Sequence, residues 1–363
     1  MTSLFAPLQL GSIALPNRIM MAPLTRGRAT KDAIPTALMA DYYAQRATAG
    51  LIISEATGIS REGLGWPFAP GLWTDAQTEG WKPVTDAVHA AGGRIVAQLW
   101  HMGRVVHPDL GGGAPLSASA TTAPYKAHTY DGKKPYVEAR PATLDDIARV
   151  LEDYARATRN ALAAGFDGVQ LHAANGYLID QFLRDGVNHR HDDYGGPIAN
   201  RVRLLREAVS AIVAEAGADR VGVRLSPNGL VQGVDDSDPL ATFTAAATEL
   251  QSLRIAWLEL REGRADSTFV AGNVDPVAPA IRQAFTGALV LNSDYLGSTA
   301  QAALTAGEAD AISFGRPYIA NPDLVARLCD PDAPLNDPDP TTFYSAGAPG
   351  YTDYPALEEQ PAL

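Results

Sequence analysis

Apolar residues along this chain come in short unbroken runs, separated by longer stretches in which apolar and polar positions alternate with a helical period. The runs are Arg18–Leu24, Leu51–Ala56, Arg94–Trp100, Gly168–His172, Val221–Leu225, Ala256–Glu259, Ala288–Asn292 and Ala309–Phe314. Most stay apolar for several consecutive positions rather than alternating, as strands buried on both faces of a parallel sheet do. The stretches between them predict helices over Thr36–Thr48, Asp75–Ala91, Thr143–Ala164, Ile198–Glu215, Pro239–Leu253, Asp275–Phe285, Ser298–Ala306 and Pro322–Cys329. Thr143-Leu144-Asp145-Asp146 supplies a cap hydroxyl and an acidic first turn. Strands alternating with helices eight times predict an α/β fold, a closed (β/α)8 barrel, with a doubly wound open sheet as the alternative. The pattern offers no clear place to divide residues 1–363, so one barrel domain is expected.

Two segments fall outside the repeat. Leu4–Ile19, with Gly11-Ser12 between apolar stretches, predicts a β-hairpin that would plug the bottom of the barrel. Residues 101–142, rich in Gly, Ala, Pro and Thr, form an extended segment after the third strand; a connection of that length is uncommon unless functional or mobile, and a lid is one reading. The net charge of −12 argues against a nucleic-acid partner and against adsorption to anionic membranes. One cysteine, Cys329, can build neither an internal disulfide nor a thiolate metal cluster. The N-terminal residues lack a cationic segment followed by a long apolar one, and no window reaches the roughly 18 apolar residues of a membrane span, so a cytoplasmic location is expected.

Barrel chemistry sits at the C-terminal ends of the strands. Those ends read Met21-Ala22-Pro23-Leu24-Thr25-Arg26, Gln98-Leu99-Trp100-His101, Gln170-Leu171-His172-Ala173-Ala174-Asn175-Gly176-Tyr177, Arg224-Leu225-Ser226 and Ser313-Phe314-Gly315-Arg316-Pro317. A lone histidine at a strand end is commonly a structural hydrogen-bonder, and a tryptophan is commonly core. An amide, an imidazole, a phenol and a guanidinium on one rim are harder to assign to packing. Arg224 within an apolar run requires an anionic or electron-rich partner, which a buried glutamate could supply as well as a ligand. Gln98 offers donor and acceptor together, matching the alternating edge of a pyrimidine-like ring. Loops after the last two strands, Asn292-Ser293-Asp294 and Gly315-Arg316, occupy the common phosphate position of barrels.

These fragments, with Asp193-Tyr194-Gly195-Gly196, Asn200-Arg201 and Gly350-Tyr351-Thr352-Asp353-Tyr354-Pro355, closely resemble the Old Yellow Enzyme family along nearly the whole chain. The resemblance implies non-covalent FMN across the top of the barrel. It places Pro23, Thr25 and Ala56 against the ring, Gln98 at its pyrimidine edge and Arg224 near N1 and the C2 oxygen. Ser293, Asp294, Gly315 and Arg316 would hold the phosphate, although this chain lacks the glycines that some relatives carry near Asn292–Tyr295. Thr25 stands where one subgroup has cysteine, and His172 with Asn175 stands where some members have two histidines.

The activity implied is that of an FMN-dependent ene-reductase. NADPH or NADH reduces the flavin at N5 and leaves. Hydride then passes to the β-carbon of an electron-poor alkene such as an enone, nitroalkene or maleimide. His172 and Asn175 would bind the substrate oxygen, and Tyr177 would protonate the α-carbon. Trp66, Phe68, Trp100 and Tyr351 are candidate pocket walls, with capping the barrel as the alternative for Trp66 and Phe68. No metal is expected. A metal-dependent hydrolase or aldolase barrel is a rival suggested by His101, His107, His172, His189 and His191, but no carboxylate–histidine set or strand-end lysine accompanies them. A flavin-binding sensor without turnover is a second rival, for which the His172, Asn175 and Tyr177 set would be surplus. Oligomeric state and physiological substrate stay open.

Overall fold

The computed structural model describes residues 2–357 apart from 265 and 269. All eight expected strands form: β1 (Ile19–Met21), β2 (Leu51–Ile53), β3 (Ile95–Trp100), β4 (Gly168–Ala173), β5 (Val221–Leu225), β6 (Trp257–Arg261), β7 (Ala288–Asn292) and β8 (Ala311–Phe314). Each pairs in parallel with the next, and β8 pairs with β1, so the sheet closes and the open-sheet alternative is excluded. Helices cover the outside between strands, from Ala37–Ala44 to Leu324–Cys329. The Thr143 cap forms as expected, with its hydroxyl accepting from Asp146 N at 3.1 Å and the Asp146 carboxylate accepting from Thr143 N at 2.9 Å.

The inward-facing residues change character from bottom to top. At the N-terminal end Met20, Leu51, Ile53, Val96, Trp257, Val290 and Ala311 make an apolar layer. The hairpin Leu8–Leu10/Ile13–Leu15 caps that layer with Leu10, Ile13 and Leu15, as the sequence predicts. Its turn lies flat against the chain entering β5. Ser12 N–H donates to the Asp219 carbonyl at 2.9 Å, and a Cβ on Gly11, at φ +58°, would stand 1.9 Å from that oxygen. Higher in the barrel the inward layer is polar: Gln98, Gln170, Arg224, Glu259 and Ser313 are all buried.

Several boundaries differ from the periodicity. β1 stops at Met21 because Pro23 has no N–H for a ladder. The predicted helix Ile198–Glu215 is two, Ile198–Arg201 and Arg203–Ala216. Short helices at Leu178–Leu183 and Arg316–Ala320 were not legible, since six and five residues carry too little periodicity. The segment after β3 is not structureless: Leu116–Ser117 pairs with Arg140–Pro141, and Lys126–Thr129 pairs with Gly132–Pro135 as a hairpin. Among the described residues no helix is long and apolar enough to cross a membrane.

Gly222, in the middle of β5, leaves room for the Trp257 indole, which would lie 1.9 Å from an added Cβ. Gly222→Ala is therefore expected to cost about 1–3 kcal/mol by overpacking, read as a lowered melting temperature; an unchanged one would show that the indole can move aside.

Candidate active site

A cavity of about 840 Å³ opens at the C-terminal rim of the barrel. Pro23, Thr25, Trp66, Trp100, Asn175, Tyr177, Arg224, Ser293, Asp294, Gly315 and Arg316 all line it. Residues far apart in the chain are thus brought to one cavity. Ala56, Gln98 and His172 lie behind the lining. Ala56 is buried beside Trp100 and Leu64, while Gln98 and His172 belong to the polar layer just beneath.

The turn after β4 positions Asn175 and Tyr177 at the cavity. Asn175 and Gly176 both take left-handed backbone, at φ 56° and 75°. Asparagine tolerates this conformation, and a Cβ at Gly176 would meet the Val231 carbonyl at 2.6 Å. Asn175 N–H donates to Ser226 Oγ at 2.8 Å, and Gly176 N–H to Asp180 Oδ2 at 2.8 Å, which pins the turn. Asn175 Oδ1 is buried with no hydrogen-bond partner among the described residues.

His172, Trp100 and Tyr177 interlock. Tyr177 meets the His172 ring edge-on at 4.9 Å and the Trp100 ring edge-on at 5.0 Å, while Trp100 and His172 lie nearly parallel at 6.2 Å. Ala174 N–H donates to His172 Nδ1 at 3.3 Å, which leaves the ring proton on Nε2. Burial, and secondarily the Arg224 charge, hold the His172 pKa well below its ordinary value, so the ring is a neutral donor. Burial, assisted by the Tyr136 and Tyr344 phenols, raises the Tyr177 pKa, so its hydroxyl keeps its proton at neutral pH.

Below these groups runs a buried polar chain that sequence reading did not assemble. Gln98 Nε2 donates to Gln170 Oε1 at 2.8 Å, and Gln170 Nε2 donates to Glu259 Oε2 at 2.8 Å. Ser313 Oγ donates to Glu259 Oε1 at 2.6 Å. Arg224 Nε stands 3.7 Å from the same oxygen, and Arg224 Nη2 donates to Asn292 Oδ1 at 2.9 Å. Arg224 thus has a buried glutamate on one side and lines the cavity on the other.

At the far end, Ser293 and Asp294 adopt φ 120° and 51° without being glycines. The Asp294 carboxylate accepts from Thr268 N at 2.8 Å and from Thr268 Oγ at 2.6 Å, and Arg316 also donates to Thr268 Oγ. Asp294 thus ties the loop after β6 to the loop after β7. Arg264, Ser267, Thr268 and Val270 of that loop line the cavity, and the sequence carried no periodic signal for them.

Tyr351 is not a wall of the cavity. It is fully buried, stacked on Tyr42 at 4.0 Å with the Arg28 guanidinium 4.6 Å from its ring. The wall it was expected to supply comes from Phe343 and Tyr344, which Arg26 and Arg28 hold through the Phe343 carbonyl at 3.1 and 2.8 Å. Trp66 does line the cavity and stacks on His128 of the hairpin at 4.3 Å, whereas Phe68 lies outside it, 40% exposed. His101 and His107 turn their Nδ1 atoms to the backbone N–H groups of Gly103 and Asp109. Asn200 and Arg201 are scaffold: Asn200 Nδ2 reaches the Gly195 carbonyl at 3.1 Å, and Arg201 pairs with Asp236 at 2.5 Å.

The cavity is aromatic at one end and basic at the other, with a guanidinium between. Arg224 Nε and Asn175 Oδ1 are buried without hydrogen-bond partners among the described residues. One open guanidinium N–H and one open amide oxygen between those ends suit a flat, electron-accepting heterocycle that has both donor and acceptor positions and a phosphate tail, as a flavin-dependent oxidoreductase binds. Residues 3–331 match the model of the NADH:flavin oxidoreductase / NADH oxidase family. The old yellow enzyme homologue from Zymomonas mobilis superposes with a TM-score of 0.96 at 58% identity, covering 98% of this chain and 100% of that one. Morphinone reductase in complex with tetrahydroNAD gives 0.92 at 45%, covering 98% of both chains. A flavin oxidoreductase of Emericella nidulans is 42% identical over 97% of each chain. The chain belongs to the NADH:flavin oxidoreductase family, of the Old Yellow Enzyme type. It is an NAD(P)H-dependent flavin oxidoreductase acting on C=C bonds, with FMN as cofactor and a nicotinamide dinucleotide as reductant.

Glu55 anchors the loop that carries Thr25. Its Oε2 accepts from Arg26 N at 3.3 Å and Gly27 N at 3.2 Å. Burial raises its pKa from 4.5 to about 7, against the pull of those N–H groups. A carboxyl harder to ionise when folded favours folding while protonated, so its contribution is present below pH 4.5 and is lost as pH rises through 7. Denaturant unfolding at pH 4.5 and 8 should show a loss on the order of 3 kcal/mol from this group. Glu55→Gln should remove that loss; an identical pH slope in the variant would count against the assignment.

Proposed function

We propose that this protein is an ene-reductase for activated alkenes (enones, nitroalkenes and maleimides), in which NADPH or NADH and the alkene occupy the one cavity in turn. The observation that carries the reading is that His172, in register with Arg224 on the neighbouring strand, packs its ring against Tyr177, which with Asn175 and Arg224 lines a cavity that is aromatic at one end and basic at the other. Bound FMN, once reduced by the nicotinamide, supplies the hydride for the β-carbon.

The chain's own residues supply the rest. Pro23 and Thr25 face the cavity where the ring would lie, with Gln98 and Ala56 behind it. Ser293, Asp294, Gly315 and Arg316 surround the phosphate end, and the positive φ at Ser293 and Asp294 turns backbone there without glycine. His172 Nε2–H and the Asn175 amide hold the substrate oxygen and stabilise the negative charge that grows on it, in the manner of an oxyanion hole. The neutral state of His172 gives hydrogen-bond donation without a permanent ion pair. Tyr177 keeps its proton until the α-carbon takes it, because burial opposes formation of a phenolate. Trp66, Trp100 and Tyr344 give a flat substrate apolar surface and exclude water.

Anaerobic mixing of NADPH-reduced holoenzyme with 2-cyclohexenone is expected to reoxidise the flavin and yield cyclohexanone; failure to reoxidise would overturn the reading. His172→Ala or Asn175→Ala should slow that step about 10²–10³-fold, and Tyr177→Phe about 10²–10⁴-fold, while reduction by NADPH changes little. Equal slowing of both half-reactions would remove these residues from the roles given.

A further inference from the structure

We propose that Glu259 is a positioning residue for the cofactor, tuning the positive charge that Arg224 presents to FMN and thereby lowering the potential at which the bound flavin is reduced. The proposal rests on FMN lying over Arg224, as in the reading above, and extends it to a residue that never reaches the cavity.

The geometry singles out this carboxylate. Glu259 is fully buried on β6, opposite Arg224 on β5, and does not line the cavity. It is locked from two sides by Gln170 Nε2 at 2.8 Å and Ser313 Oγ at 2.6 Å. Those two donors fix its position rather than leaving it free to swing onto Arg224. The result is a guanidinium whose Nε has no hydrogen-bond partner among the described residues, with a carboxylate oxygen 3.7 Å behind it. A charge pair at that separation in a buried setting interacts strongly, yet the cationic face toward the cavity stays open.

The neighbouring groups make the balance sensitive. Arg261, at the end of the same strand as Glu259, is buried and lines the cavity too. Burial, and then the nearness of Arg224, lower the Arg261 pKa to about 10. Two guanidiniums and one carboxylate leave a formal charge of +1 on this trio, and neutralising Glu259 makes it +2. Extra positive charge beside the ring stabilises the more negative, reduced form.

Glu259→Gln keeps the shape and the capacity to meet Gln170 and Ser313 while removing the charge. Anaerobic spectroelectrochemistry of the FMN-loaded variant, with FMN dissociation constants in both oxidation states, is expected to show preference for the reduced form raised at least tenfold over wild type. That factor is a rise of about 30 mV for a two-electron couple. A change of less than threefold overturns the proposal, and intact cyclohexenone turnover by the wild type would then leave the ene-reductase reading standing. Should Glu259→Gln not fold, the double variant R224Q/E259Q removes both charges together and is expected to fold. Its failure would show that Glu259 supports the barrel independently of Arg224, and would equally overturn the proposal.

Discussion

A guanidinium held inside a closed barrel is the constraint around which the upper half of this molecule is arranged. Arg224 is only 6% exposed, and an unpaired charge at such depth is costly. The structure meets that cost with Glu259 on the neighbouring β6 and Asn292 on β7, and each of these is held by a further donor or acceptor. Gln170 and Ser313 fix Glu259, Gln98 fixes Gln170, and the Ser313 carbonyl takes the Asn292 amide. Six strands, β3 to β8, are thereby cross-linked by side chains just beneath the cavity floor. The face of Arg224 that these partners leave open is the face available to a flavin.

The same layer and the turn above it fix the positions of His172, Asn175 and Tyr177. His172 sits one strand over from Arg224 in register, and its ring is confined by Trp100 and Tyr177. The Asn175-Gly176 turn departs from helical backbone for two residues, and its N–H groups are taken by Ser226 and Asp180. A turn tied to the scaffold at both residues keeps amide and phenol at fixed height above the floor, as transition-state stabilisation by preorganised donors requires. The loop of Thr25 is held likewise from beneath, by Glu55, and from outside, by the Arg26 and Arg28 contacts to the C-terminal segment.

Much of this was legible in the chain. Continuous apolar runs gave all eight strands because a parallel strand buried on both faces has no polar positions to interrupt it. The strand-end rule then selected Thr25, Trp100, Asn175, Tyr177, Arg224 and Arg316 as cavity-lining residues, since in a barrel the end of a strand is a spatial address. Tyr351 shows the limit of that address. It lies in the C-terminal segment, where no strand end fixes position, and the Arg26, Arg28 and Tyr42 contacts draw it into the interior. Phe343 and Tyr344, a few residues earlier, take the wall instead.

By itself the sequence determined the periodicities, the backbone permissions of Asn175-Gly176, and the chemical types gathered at the strand ends. Those properties are local, carried by one residue and its near neighbours. Tertiary structure alone decided the partners: that Glu259 backs Arg224, that Gln170 bridges two strands to Gln98, that Asp294 turns to Thr268, and that the loop after β6 completes the cavity. A hydrogen bond or ion pair between residues many positions apart depends on strand register and barrel closure, and no local pattern encodes which two side chains that closure will bring within reach.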